Sequence, residues 1–327
     1  MKKRLLFGFA LAGVCLYYAC RGLSIREMAT SFSLANPRWI LLAVGIYTIG
    51  FFLRALRWTI LLEPIKMIPA SQLFAPLAIG FFANNILPFR MGEFVRAHVT
   101  GRKFRISRTT SLGTVLLERI CDTLSFLTTF AVVAIFFPFP ASVEKGAAAL
   151  GTSCALVIAV LIIIMRHQER FHVIVDRLPM KPAWRLKIHE AVSHFAHGVS
   201  GMRQLRHVFR ALALSLVIWT IEGTMLYLMA RAFQVPLHYP QSFFLLFFLG
   251  LSVTLPQAPG YVGTMELFGV TALALLGIPK QQGLPLILAI HGTQFIYICL
   301  FGAWAMWHEG LSVQSLMAKR DPATDPE

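Results

Sequence analysis

The sequence predicts an all-α fold, a polytopic transmembrane helical bundle with two broken or re-entrant helices in inverted repeats. Three observations predict it: an apolar composition, apolar runs of bilayer length, and two such runs that stop at polar and proline residues. Of 327 residues, 57% are hydrophobic and 14% charged, against roughly 45–50% and about 25% in ordinary globular proteins. A composition this apolar excludes a water-soluble domain of any size. Backbone groups inside a bilayer need internal partners, and the runs are long rather than alternating, so helices are predicted and not a barrel.

Full spans are predicted over about 5–23, 39–62, 109–137, 147–165, 208–233 and 285–307, each near the roughly 20 residues that cross the hydrocarbon. The first follows Lys2-Lys3-Arg4, as a signal peptide would. Its apolar run outlasts the roughly 7–15 residues of a signal h-region and no small-x-small site follows, so it reads as a span. Two stretches depart from the template. Ser71 to Leu87 runs into Asn84-Asn85-Ile86-Leu87-Pro88, and Ser242 to Leu255 runs into Pro256-Gln257-Ala258-Pro259-Gly260 before resuming as Thr264 to Ile278. Both read as helices broken at membrane depth, with Pro88, Gly92, Pro256, Pro259, Gly260 and Gly263 as hinge candidates.

Basic residues gather at Lys2 to Arg4, from Arg90 to Arg108, from Arg166 to Arg210, and at Lys319 and Arg320. The positive-inside rule assigns those loops and both termini to the cytoplasmic side of the inner membrane. It also accounts for the formal charge of +15 without a nucleic-acid partner. On that orientation the first broken helix enters from the cytoplasm and the second from the opposite face. An inverted repeat follows, with about 35–137 answered by about 205–307 inside one transmembrane domain, 1–311. Such repeats place a site at their interface near the midplane. Between them, the basic connector 166–207 interleaves apolar residues such as Phe171, Ile174 and Phe195. It reads either as a helix at an anionic lipid interface or as a solvated link. The tail, 312–327, is polar and reads as disordered.

An ionised side chain inside a span costs roughly 2.5–3.5 kcal/mol on insertion scales, so each needs a partner or a reason. Glu118 and Asp122 share a helix face, with Arg119 about one hundred degrees round from Glu118. Arg54 and Arg57 sit three apart in the second span, either facing inward or snorkelling to the headgroups. Glu93 follows the first break, Glu222 lies within the fifth span, and Glu266 opens the second half of the second broken helix. These acids are expected to pair with Arg54, Arg57, Arg90, Arg96 and Arg119, as a polar interior or as static ion pairs that lock the bundle. A helix ending at Asn84-Asn85 or Pro256 leaves carbonyls unpaired. One beginning near Gly92 or Thr264 presents amide donors that suit an anionic headgroup.

No catalytic, metal or cofactor motif is found. His189, His194 and His197 form the one helical histidine cluster, without metal-ligand spacing. The five cysteines lie in or beside apolar runs, with no pair at zinc-ligand spacing, and read as small buried side chains.

The stretch from Asn84 to Arg96, then Glu118-Arg119-Ile120-Cys121-Asp122, then Pro256 to Glu266 resembles the lysylphosphatidylglycerol synthase transmembrane-region family. The resemblance covers most of the chain and implies a lipid-flippase-like domain. It also implies that Asn84, Asn85, Arg90, Glu93, Arg96, Glu118, Arg119, Asp122, Pro259, Gly260, Gly263 and Glu266 are its characteristic polar and hinge set. Tyr261 stands where the family more often has a second glycine, and no soluble aminoacyl-transferase domain is expected after the last span, so lipid lysylation is not expected to carry over. Three functional readings follow: a lipid translocase taking anionic headgroups, an intramembrane lipid-modifying enzyme, and a scaffold for a lipid-synthesis enzyme partner.

Overall fold

The computed structural model describes residues 13–21, 25–87, 91–136, 141–166, 175–176, 182–199, 204–254 and 259–311. Among these the regular structure is entirely helical: α1 (13–20), α2 (Ile25–Ser33), α3 (Pro37–Leu62), α4 (Ala70–Ile86), α5 (Gly92–Phe104), α6 (Arg108–Phe136), α7 (Ala141–Arg166), α8 (Pro182–Gly198), α9 (Leu205–Ala232), α10 (Tyr239–Thr254), α11 (Thr264–Leu275) and α12 (Lys280–His308). A 3-10 turn, Pro259–Tyr261, precedes α11.

Local chemistry sets these limits. Asn36 caps α3 by accepting the Arg38 N–H at 3.0 Å, and Pro37 takes the first helical position, where its missing donor costs nothing. Arg105, at φ 52°, closes α5 in the left-handed conformation, with Arg102 and Lys103 in the last turn facing the negative helix end. Four helices, α3, α7, α9 and α12, are long and apolar enough to cross a membrane. α6 matches them with 29 residues but carries Glu118, Arg119 and Asp122 near its middle. The predicted spans therefore correspond to helices, apart from 5–23, of which only 13–21 is described.

α4 and α10 have 17 and 16 residues. At about 1.5 Å per residue each is short of the roughly 30 Å hydrocarbon. Each is followed by a short helix packed against it, α5 of 13 residues and α11 of 12. The order long, short, short, long thus recurs, with 26, 17, 13 and 29 residues from α3 to α6 and 28, 16, 12 and 29 from α9 to α12. The leading helices of the two sets are antiparallel. Asn36 N–H donates to the Ala232 carbonyl at 2.9 Å, Arg54 meets Glu222, Arg57 meets Ser215 and Glu63 meets Arg210, so residue numbers fall along α9 as they rise along α3.

α4 lies between α5 and α12 at the centre of the core. Its approach to α5 depends on Gly92, where a Cβ would stand 2.0 Å from the Gly80 carbonyl oxygen and 2.5 Å from Asn84 Oδ1. The end of α4 also packs against the Pro259–Tyr261 turn, so the two interrupted segments meet. Outside the core, Leu41, Ile135, Leu300 and Trp307 are exposed, as lipid-facing residues are. In the connector, α8 lies along the start of α6, where Thr110 Oγ1 donates to the His194 carbonyl at 2.9 Å. Pro88, Arg90, Pro256, the remainder of 166–207 and the tail 312–327 lie outside the described residues.

Candidate functional site

Three helices bring the first-half charges together. α6 contributes Glu118, Arg119 and Asp122, α3 contributes Arg57, and α5 contributes Arg96. Arg96 grips Glu118 through two bonds, Nη1 to Oε1 at 3.0 Å and Nη2 to Oε2 at 2.5 Å. That is the fork geometry in which guanidinium and carboxylate bind most strongly. Arg57 reaches Glu118 at 3.3 Å, donates to Asp122, and donates to Ser215 Oγ of α9 at 2.7 Å. Arg119 pairs with Glu118 and, at 3.2 Å, with Asp122. The Arg96 guanidinium stacks 3.5 Å over the Trp58 ring, whose indole N–H donates to Thr114 at 3.0 Å. These contacts hold it by cation–π attraction as well as by charge.

Burial grades across the cluster. Arg57 and Glu118 are fully enclosed, whereas the Arg119 side chain is 33% exposed and that of Asp122 17%. The cluster therefore opens at Arg119. Three guanidiniums face Glu118 and Asp122, and Glu93 of α5 adds a third negative charge near enough to act on Arg119. The Nε groups of Arg57, Arg96 and Arg119 are buried with no acceptor among the described residues. A buried donor without a partner costs about 1–3 kcal/mol, so such groups call for a ligand or a functional reason.

A second pair flanks this cluster. Arg54, one turn before Arg57 on α3, meets Glu222 of α9 at 2.5 Å, and Gln294 of α12 donates to the other Glu222 oxygen at 3.5 Å. Both Arg54 and Arg57 thus point inward, and the snorkelling alternative does not apply to either.

The helix starts differ from expectation. Asn84 Oδ1 accepts the Gly92 N–H at 2.8 Å, while its amide donates to Glu93 at 3.4 Å. Glu266 Oε2 accepts the Gly263 N–H at 2.6 Å, as in a capping box. The leading amide of each short helix is therefore already satisfied by a side chain of this chain, so neither leading donor is left for an anion. Asn85 is buried where α4 meets the Pro259–Tyr261 turn.

Among the described residues Glu266 does not pair with an arginine. Its partner is His291 of α12, with Nδ1 2.5 Å from Glu266 Oε1 and Nε2 2.7 Å from the Gly260 carbonyl oxygen. Residues 239–308 contain no arginine, and of the arginines expected as partners Arg57, Arg96 and Arg119 are taken up by Glu118 and Asp122 and Arg54 by Glu222. Gly260 and Gly263 hold φ of 73° and 87°, and Tyr261 lies at φ 64°, so the turn keeps a conformation natural to glycine even with tyrosine in it.

The family model described as "Lysylphosphatidylglycerol synthase TM region" matches residues 5–302. A "UPF0104 membrane protein" of Methanothermobacter thermautotrophicus is 24% identical over 314 residues, covering 90% of this chain and 92% of the relative. Another from the same organism is 26% identical over 257 residues, covering 74% and 75% of the two chains. A third, from Methanocaldococcus jannaschii, is 22% identical over 222 residues, covering 68% of this chain and 92% of that relative.

Proposed function

The chain belongs to the lysylphosphatidylglycerol synthase transmembrane-region family, and from that premise we propose that it is a translocase that moves an amphipathic lipid with an anionic headgroup between leaflets. The family and the apolar helices make it a multi-pass membrane protein. The observation that carries the finer reading is the cluster of Arg57, Arg96 and Arg119, with buried Nε donors that find no acceptor among the described residues and an opening at Arg119. A phosphate offers several acceptor oxygens and negative charge, and arginine binds it in the same forked geometry used with carboxylates. The recurring helix lengths and the antiparallel α3 and α9 support an inverted repeat, whose broken helices flank a site that alternates between faces. On this reading the protein sits in the cytoplasmic membrane with both termini inside, and the exposed Trp184 and Leu186 of α8 rest at the lipid interface.

Purified protein in vesicles with a labelled anionic phospholipid in one leaflet tests the proposal. Wild type is expected to equalise the label between leaflets, and Arg119→Ala to slow transfer to the rate of empty vesicles while staying folded. Equal transfer by both proteins would remove Arg119 from the route.

A further inference from the structure

Residues 239–308 hold one carboxylate, Glu266, and one buried histidine, His291; Lys280 and the exposed His308 lie at the two ends of α12. The pair occupies the junction between the turn before α11 and the last span, and both residues are buried. Its geometry fixes how many protons it holds. The Gly260 oxygen only accepts hydrogen bonds, so Nε2 at 2.7 Å carries a hydrogen. Glu266 Oε2 already accepts the Gly263 N–H, and Oε1 faces Nδ1 at 2.5 Å. A second proton therefore lies between Nδ1 and Oε1, whether the pair is written as imidazolium with carboxylate or as imidazole with carboxylic acid. Both descriptions contain the same two protons. Removing one leaves either two lone pairs facing across Nδ1 and Oε1, or a lone pair of Nε2 turned to the carbonyl. One of the two bonds that tie the turn to α12 is then lost.

We infer that Glu266 and His291 form a proton-binding site that locks the Gly260–Gly263 turn against α12, and that proton uptake and release there drive the second broken helix through its transport cycle. The second clause rests on the translocase reading; the proton site itself does not. A proton taken up from one face closes the turn, and its release to the other face reopens it. Arginine pairs cannot serve this purpose, because guanidinium does not give up its proton in a protein. Among the helices packed on this pair, α4 carries no titratable side chain and α10 only Tyr239. α2 brings Arg26 and Glu27, both exposed, and the turn brings Tyr261. α9 faces α12 with Glu222, bonded to Gln294 and paired with Arg54. Gln294 lies three residues after His291, on the same helix face, and so links the proton site to the pair that flanks the arginine cluster. At the start of α12, Lys280 is bonded to the carbonyls of Tyr18 and Arg21, and Tyr297 and Cys299 lie about two turns beyond His291.

Hydrogen exchange of the turn amides, corrected for the intrinsic pH dependence of exchange and followed from about pH 5 to about pH 8, reads the site directly. Wild type is expected to lose protection about tenfold as pH rises, the change expected when one of the two bonds that tie the turn to α12 is lost. Glu266→Gln supplies an acceptor to Gly263 and an N–H to Nδ1 without a titrating proton, so its turn stays protected across the range. His291→Asn removes the tie to Gly260 and leaves the turn unprotected throughout. Opposite responses of the two variants support the site, whereas pH-flat protection in wild type, or equal loosening in both variants, overturns it. Label transfer in vesicles with an imposed pH gradient then separates the two readings. Gradient-dependent transfer that Glu266→Gln abolishes supports the coupling. A pH-sensitive turn without any lipid transfer overturns the coupling and the translocase reading while the proton site stands, and transfer indifferent to the gradient overturns the coupling alone.

Discussion

The two halves of the molecule hold their buried charge in opposite ways. In the first, Arg57, Arg96 and Arg119 surround Glu118 and Asp122 in a network whose cations do not titrate. In the second, Glu266, the one carboxylate of residues 239–308, is matched by a histidine, a side chain whose charge changes near physiological pH. Helices of matching length position both sets, so the difference lies in chemistry and not in scaffold. Permanent positive charge suits an anionic guest, and an exchangeable proton suits a moving part.

Removing the acid from each half tests this contrast most strongly. Glu118→Ala strands the buried Arg96 guanidinium and leaves Arg57 and Arg119 to share Asp122, and is expected to cost about 3–5 kcal/mol, read as a lowered unfolding midpoint in detergent. Glu266→Ala leaves His291 able to go neutral and is expected to cost only about 1–3 kcal/mol, from one lost buried bond and one lost cap. Equal losses would break the comparison. The first should also be insensitive to pH, and the second should shrink as pH rises and wild type itself surrenders the proton.

The contrast also explains what the sequence made legible. Charges inside apolar runs stand out one by one, so Arg54, Arg57, Arg96, Glu118, Arg119, Asp122 and Glu222 could be named, and the structure joins them into one cluster and one flanking pair. Who pairs with whom depends on packing across α3, α5, α6 and α9, which residue order does not contain. His291 was missed because a lone histidine in an apolar run is a weak signal. The stronger signal was subtractive: Glu266 is the one acid in residues 239–308, and no arginine there can balance it. The helix starts were misread for a related reason. The sequence predicts amide donors near Gly92 and Thr264, but Asn84 and Glu266 lie close enough to satisfy the Gly92 and Gly263 N–H groups, which only the folded turn reveals.

Smaller changes sharpen the comparison at the breaks. Asn84→Ala removes the side-chain acceptor from the start of α5 and is expected to cost about 1 kcal/mol, seen as faster hydrogen exchange in the first turn of α5 with the arginine cluster intact. Tyr261→Gly relieves a left-handed tyrosine and gives back roughly 1 kcal/mol of backbone strain, less whatever the ring contributes by packing. Its unfolding midpoint is expected to stay close to wild type. A large fall would show that the tyrosine ring, and not the backbone of the turn, holds the second break together.

The lipids that remain bound to the purified protein report most directly on the arginine cluster. Mass spectrometry of wild type and Arg119→Ala, prepared side by side, is expected to find a phosphate-bearing anionic lipid retained by the first and depleted from the second. The same anionic lipid held in equal amount by both proteins, or only lipids without net charge in either, would contradict the assignment of that cluster as the headgroup site.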